Sequence, residues 1–427
     1  MSMMSADYAV YLPAVNSSYA SEVLKPLQPN RQFPLGLTLE DLIFWDKKNK
    51  LWHHNAILHS IGLHKFPNPV INAITQMGTT DCLLVGDSGG YQIGRGALKG
   101  YPQLHPNQTA SDAVDTWRMA YELKKWIVNY LETNCDYAMT LDMPLWAKLK
   151  SNEGTPFHNC TVQELTDMTV DNLRFIDAHK EGRTKWLNVI QGLDEASTLA
   201  WWNAVKWFDC SGYALAGKAG ADGGIGQVLR ILLTMLEDGK LTSNTQWIHV
   251  LGVSTTMWAI FLTAIQKALR ARLGGKVRVS YDSSSPYRIG GEWEGICTLP
   301  TFQSKLATWG IGVEDSAQSL KLYNSSEPVP FSFSPLEKLI TWGDLNVKDS
   351  DWDWRTFDTV SNLLLVNHNV WTYLQAFEQA NEIAFDGGAG FVPHQWHQCL
   401  ELIDAIFEVQ DWRAELADNK KLFDSLK

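Results

Sequence analysis

Residues 162–192, VQELTDMTVDNLRFIDAHKEGRTKWLNVIQG, contain one complete unit of the pattern on which the fold rests. Apolar residues in its first part (Val162, Leu165, Met168, Leu173, Ile176) recur every three to five positions, which is helical spacing. A short polar turn follows, then KWLNVIQ, a compact apolar run that reads as a strand and stops at Gly192. The unit repeats along the chain. SDAVDTWRMAYELKKWIVNYLE (111–132) predicts a helix and DYAMTLD (136–142) a strand. Helices then alternate with strands at 194–206, 211–216, 225–237, 246–251, 256–271 and 277–282. Such alternation means parallel strands joined by crossover helices, and its length predicts a closed (β/α)8 barrel rather than an open sheet.

Upstream, YAVYLPAV (8–15) and CLLVGD (82–87) read as strands, and the His- and Pro-rich stretch between them reads as loop. Downstream, SSEPVPFSFSP (325–335) reads as a linker to helices over 358–384, 395–409 and 411–426. The expected organisation is a barrel domain over 1–324 and a C-terminal helical region over 325–427.

The bulk properties exclude some classes. The 427 residues carry 36 basic against 47 acidic side chains, a net charge of −11, so no broad basic face for nucleic acid is expected and any such contact must be local. The six cysteines form no CxxC pair, which reads as reduced thiols in a cytoplasmic protein. No apolar run reaches the roughly 20 residues a bilayer requires, and the N-terminus lacks the pattern of a signal peptide. Most of the 19 tryptophans, among them Trp201, Trp202 and Trp207 at helical spacing and Trp352 and Trp354 among acidic residues, are expected to pack rather than to stack on bases.

The chemistry lies at strand ends. GDSGGYQ (86–92), LDMP (141–144), NVIQG (188–192), SGYALAGKAG (211–220) and SYDSSSPYR (280–288) each end an apolar run in a carboxylate, an amide or bare glycine backbone. An α/β barrel places its active site at those positions. Taken together, Asp87-Ser88-Gly89-Gly90-Tyr91-Gln92, Asp142, Ile190-Gln191-Gly192, Gly212 to Gly217, Gly252-Val253-Ser254-Thr255, and Tyr281-Asp282 followed by Pro286 and Arg288 resemble the signatures of the queuine and archaeosine tRNA-guanine transglycosylase family. They stand in that family's order, over about residues 80–290.

The resemblance implies a base exchange at C1′ of a nucleotide, with no cofactor. Asp282 would be the nucleophile that holds the sugar as a covalent glycosyl ester, and Asp87 the acid/base for departing and entering bases. Asp142 would accept from the N1 and exocyclic N2 protons of a guanine-like edge, and Gln191 would donate to its carbonyl. Tyr91 would stack on the base, Ser88, Gly89 and Gly90 would shape the loop, the Gly217 backbone would approach closely, and Leu251 and Gly252 would close the far wall. GDSGG also surrounds the nucleophilic serine of trypsin-like proteases, but there it lies near the domain end, in a β-barrel without this helix-strand alternation. A non-catalytic nucleic-acid-binding subunit is the other reading, and retention of both Asp87 and Asp282 argues against it.

The chain departs from the family in two places. Its members carry a C-x-C-x-x-C zinc cluster completed by a histidine in an HN-containing helix. This chain keeps His368-Asn369-Val370-Trp371-Thr372-Tyr373 but has no cysteine over 300–367, so no structural zinc is expected; His394, His397 and Cys399 are the remaining metal candidates. In GYA-x-GG, Ala216 replaces the first glycine. Loss of the zinc element, with divergence outside the site, fits a branch of phages and bacterial modification clusters that resembles the tRNA enzymes and inserts 7-deazaguanines into DNA. The expected partners are DNA and a free 7-deazaguanine base, with tRNA as the alternative polymer. Arg95, Lys148 and Arg288, with Lys99, Lys150 and Lys218, are expected at the catalytic mouth to hold phosphates, whereas Arg270, Arg272 and Lys276 should lie at the opposite end.

Overall fold

A computed structural model describes residues 7–28, 31–69, 71–77, 82–302, 308–347, 357–388 and 390–426. Trp352 and Trp354 lie outside them. Eight parallel strands form one sheet: β1 (Val10–Pro13), β2 (Ala56–Ser60), β3 (Leu83–Asp87), β4 (Tyr137–Met139), β5 (Lys185–Ile190), β6 (Gly212–Leu215), β7 (Trp247–Val250) and β8 (Arg278–Ser283). β1 pairs with β8, and the order then descends to β2. The sheet closes where Ala14 bridges Leu58 and the Val15 N–H donates to the Leu58 carbonyl at 2.9 Å. This is the (β/α)8 barrel that the alternation predicts, followed by a C-terminal helical region.

Strand alternation separates two cores. Val10, Leu12, Ala56, Leu58, Val85, Tyr137, Met139, Leu187, Val189, Ala214 and Trp247 fill the barrel interior. The residues between them, such as Tyr11, Ile57, Leu84, Ile190, Ile248 and Tyr281, pack outward against the helices. Because successive side chains on a strand point to opposite faces, Asp87, Gln191, Leu251 and Asp282 share the inward parity at the C-terminal strand ends.

Three local expectations are corrected. β2 lies in the stretch read as loop, because AILHS has only three apolar residues before His59. That histidine is nevertheless buried, with Nδ1 at 2.8 Å from the Val15 carbonyl and Nε2 at 2.8 Å from His64 Nε2. The helix expected over 111–132 is two helices, Ala110–Met119 and Tyr121–Asn134, separated at Ala120, whose ψ of 43° leaves the helical range. Trp201 and Trp202 are fully buried, but Trp207 lies past the helix end at Val205 and is 45% exposed.

The C-terminal region is an integral part of the outer layer. Phe377, on the long helix Thr359–Phe385, packs edge-on against Tyr11 at 4.9 Å and Tyr281 at 5.4 Å. Three consecutive buried polar residues anchor this helix. Asn367 Oδ1 accepts from the Trp52 indole at 3.0 Å, and its amide donates to the Leu42 carbonyl at 3.1 Å. Asn369 Oδ1 accepts from the Cys297 N–H at 2.8 Å and its amide donates to the Gly295 carbonyl at 3.0 Å, holding the hairpin Gly295–Thr298 with Gly312–Asp315. Between them, His368 Nε2 lies 2.9 Å from the Cys297 carbonyl, and its ring stacks on Phe331, inside the expected linker, at 4.2 Å. No helix among the described residues is long and apolar enough to cross a membrane.

Replacing Asn369 with alanine leaves a buried donor and a buried acceptor unmatched, each costing roughly 1–3 kcal/mol. Urea unfolding of Asn369→Ala should show a clearly lower midpoint with an unchanged slope; an unchanged midpoint would mean that the two backbone groups find other partners.

Candidate active site

A cavity of about 450 Å³ opens at the C-terminal ends of the strands. Its lining includes Asp87, Asp142 and Asp282, with Gln191, Gly217 and Leu251 on its walls and Tyr91 and Arg95 at its rim. The volume is in the roughly 300–1,000 Å³ range of small-molecule sites. Residues separated by almost 200 positions in sequence therefore meet in one space because each occupies the last inward position of its strand or the turn after it.

The Asp87 loop owes its path to close backbone contact. Gly89 has φ of +84°, a left-handed conformation, and a Cβ there would lie 2.7 Å from Gly62 Cα. No side chain fits at either position without displacing the loop. Ser88 is buried and its hydroxyl donates to the Thr140 carbonyl at 3.2 Å, so it fastens the loop to the neighbouring strand rather than facing the cavity. Gly90 opens the short helix Gly90–Arg95 and lines the cavity beside Asp142.

Burial raises the Asp87 carboxyl above the ordinary carboxylate range, the Asp282 charge adds to the rise, and hydrogen bonds from Ser60 and the Gly89 N–H partly offset it. Asp142 is pushed up to about 7, first by burial and then by Asp87, against a hydrogen bond from Gln191. Asp282 keeps 14% of its side-chain surface exposed, and its Oδ1 accepts from the Gly252 N–H at 3.1 Å. Three carboxyl groups thus share one small space, and a proton is retained there at pH values where exposed carboxylates have lost theirs.

Gln191 is oriented differently from the expectation for a base-reading amide. Its Nε2 donates to Asp142 Oδ2 and to the Met143 carbonyl, the latter at 3.1 Å, while its Oε1 accepts from the Leu145 N–H at 3.0 Å. In this arrangement it holds Asp142 in place. Tyr91 is 59% exposed at the rim, 5.6 Å from the Trp146 ring, and the Arg95 guanidinium lies 5.5 Å from the first ring and 5.2 Å from the second. These three form an aromatic platform with one positive charge over the opening. Gly252, at φ of +73°, serves the site through its backbone N–H rather than as a wall.

The other basic candidates are placed unequally. Lys148 donates to the His158 carbonyl at 2.6 Å and is not at the cavity, and Lys218 lines it while donating to the Asp222 carbonyl at 2.6 Å. Arg288 lies 3.4 Å from Glu292 and over the Trp293 ring at 5.1 Å, outside the cavity lining. Arg270 donates to the Val277 carbonyl at 2.9 Å, just before β8 and therefore at the opposite barrel end.

Two residues escape the sequence reading. Trp146, four positions after Asp142, completes the rim platform. His249 is fully buried inside the barrel with Nε2 3.1 Å from Asp282 Oδ1. The signal for His249 was present: it lies two positions before Leu251 and so has the same inward parity.

The zinc site of the transglycosylases is not matched by the residues present. His368 is bound to a backbone carbonyl and stacked on Phe331, and the stretch that should supply thiolates has no cysteine. His394 and His397 are exposed on the helix His394–Ile406 whereas Cys399 is fully buried, so the three do not converge.

No family model and no curated protein sequence matches the chain. Among solved structures it is similar to a GH5-4 broad specificity endoglucanase from Clostridium longisporum, with 11% sequence identity and a TM-score of 0.33 over 65% of this chain and 86% of that one.

The raised Asp142 carboxyl has a stability consequence. Between the ordinary carboxylate value and about pH 7 the folded protein keeps a proton that the unfolded chain has released, so stability falls as pH rises through that window. Asp142→Asn removes the loss. The variant should melt higher than the parent at pH 8, by an amount on the order of a few kcal/mol at most, with a much smaller gain at pH 5. Equal gains at both pH values would show that the carboxyl is not held neutral.

Proposed function

We propose that this chain is a base-exchange transglycosylase that replaces guanine in DNA with a 7-deazaguanine derivative through a covalent aspartyl-glycosyl intermediate. The observation that carries the reading is the convergence of Asp87, Asp142 and Asp282 on one cavity beneath the Tyr91 platform. A reaction that exchanges one base for another at the same carbon requires three things: a nucleophile to hold the sugar, a proton donor and acceptor for the bases, and an acceptor edge to select them.

In this reading Asp282 attacks C1′ as the C1′–N bond to guanine breaks. The electron pair goes to the leaving nitrogen, which takes a proton from Asp87, the carboxyl that burial shifts toward its protonated form. The incoming base gives its proton back to Asp87 and attacks C1′, and the C1′–O bond breaks to restore the Asp282 carboxylate. Two displacements retain the configuration at the sugar. Asp142, once ionised, accepts from the two N–H groups of the guanine edge while Gln191 continues to donate to it and holds it in place. Base binding should accordingly tighten as pH rises through about 7.

The missing thiolate set supports DNA over tRNA, because the zinc element of the tRNA enzymes lies beside their RNA-binding surface. A duplex substrate requires the guanine to leave the stack, at a cost of a few kcal/mol. In this reading the Tyr91 and Trp146 rings receive the exposed base, and Arg95 and Lys218 meet the adjoining phosphates.

Labelled 7-cyano-7-deazaguanine offered with duplex DNA, single-stranded DNA and tRNA tests the proposal. Label should enter DNA, Asp282→Ala should abolish transfer while preserving fold, and label entering only tRNA would reassign the polymer. Arg95→Glu should weaken DNA binding and slow transfer, whereas Arg270→Glu, at the far barrel end, should leave both nearly unchanged. The reverse pattern would move the nucleic-acid face to the other end.

A further inference from the structure

The barrel interior below Asp282 contains a polar chain that the proposed reaction does not yet use. The Trp247 indole N–H donates to Ser280 Oγ at 2.6 Å, Ser280 Oγ lies 2.8 Å from His249 Nδ1, and His249 Nε2 lies 3.1 Å from Asp282 Oδ1. Trp247, His249 and Ser280 are all buried and occupy inward positions on the adjacent strands β7 and β8. In an apolar core such a chain persists only when each donor faces an acceptor.

The direction of each hydrogen bond follows from the chemistry of its ends. An indole N–H can only donate and a carboxylate can only accept. Asp282 therefore requires the proton of His249 on Nε2. In the Nε2–H tautomer Nδ1 carries a lone pair, which the Ser280 hydroxyl proton fills, and a Ser280 lone pair receives Trp247. All three groups are matched in one arrangement.

We propose that His249 is a positioning residue for Asp282, held as the Nε2–H tautomer by Ser280 and Trp247 so that Oδ1 is fixed and Oδ2 is the oxygen presented to the sugar. Oδ1 receives two donors, His249 Nε2 and the Gly252 N–H, each at 3.1 Å. When Oδ2 bonds to C1′, Oδ1 becomes the carbonyl oxygen of the ester and keeps both donors. When the incoming base attacks, the C1′–Oδ2 bond breaks, its electron pair returns to the carboxylate, and the same two donors stabilise the restored charge. They serve the departing carboxylate as an oxyanion hole serves an acyl intermediate. The assignment of the ester chemistry rests on the function proposed above; the tautomer does not.

Two measurements test the inference separately from that function. In protein carrying ¹⁵N-histidine, with the His249 signals identified by their loss in His249→Gln, long-range proton-nitrogen spectra should show the proton on Nε2. A proton on Nδ1 would overturn the proposal even if no substrate is ever found. In the label-transfer assay, His249→Leu should lower kcat on the order of 100-fold with little change in KM for the incoming base. His249→Gln, whose amide can still donate toward Asp282, should recover much of the loss. Full activity in a folded His249→Leu protein would overturn the positioning role. If the parent transfers no label at all, the function fails, and the tautomer measurement still decides whether the chain of hydrogen bonds is as described.

Discussion

Placing three carboxyl groups around one cavity of about 450 Å³ is the constraint to which the rest of this structure responds. Charges that close together repel, and taking any of them out of water costs several kcal/mol unless it is protonated or well hydrogen-bonded. The protein resolves the conflict by treating the three groups differently. Asp87 and Asp142 are held toward their neutral forms, while Asp282 Oδ1 accepts from the Gly252 N–H and lies 3.1 Å from His249 Nε2. The three carboxyl groups are thereby distinguished by surroundings rather than by residue type.

Maintaining that division requires support well beyond the cavity. The Asp87 loop runs as it does because Gly89 and Gly62 touch backbone to backbone, and Ser88 ties it to the strand beside it. Asp142 is held by Gln191, whose amide is fastened at both ends to the turn that follows. Asp282 stands on the hydrogen-bond chain that descends through His249 and Ser280 to Trp247. A rigid polar scaffold inside a parallel barrel is costly to bury, and it persists because nearly every donor in it has an acceptor.

The outer layer is tied to the barrel by a few buried contacts on one helix. The helix Thr359–Phe385 buries three consecutive polar residues, Asn367, His368 and Asn369. Here His368 is stacked on Phe331 and bound to the Cys297 carbonyl, and Asn369 holds the same hairpin by two backbone hydrogen bonds. Apolar stacking and amide hydrogen bonds anchor the C-terminal helix to the barrel without thiolates.

The sequence by itself determined the barrel, the positions of seven of its eight strands, and the strand-end residues that converge. Period-two and helical alternation are local properties, and in a closed parallel barrel they dictate which side chains share the mouth. Only the tertiary structure decided what those side chains touch. β2 was illegible because its apolar run is short and carries a histidine, and the acceptor that makes burying His59 tolerable is the Val15 carbonyl, 44 positions away. The partners of His249 are 31 and 33 residues distant, and Gln191 is spent on Asp142, 49 residues earlier. Lys148, read as a phosphate contact, is satisfied by a carbonyl ten residues on. A polar side chain in a sequence announces that it needs a partner, but which partner it finds depends on loops and strands that only the folded chain brings together.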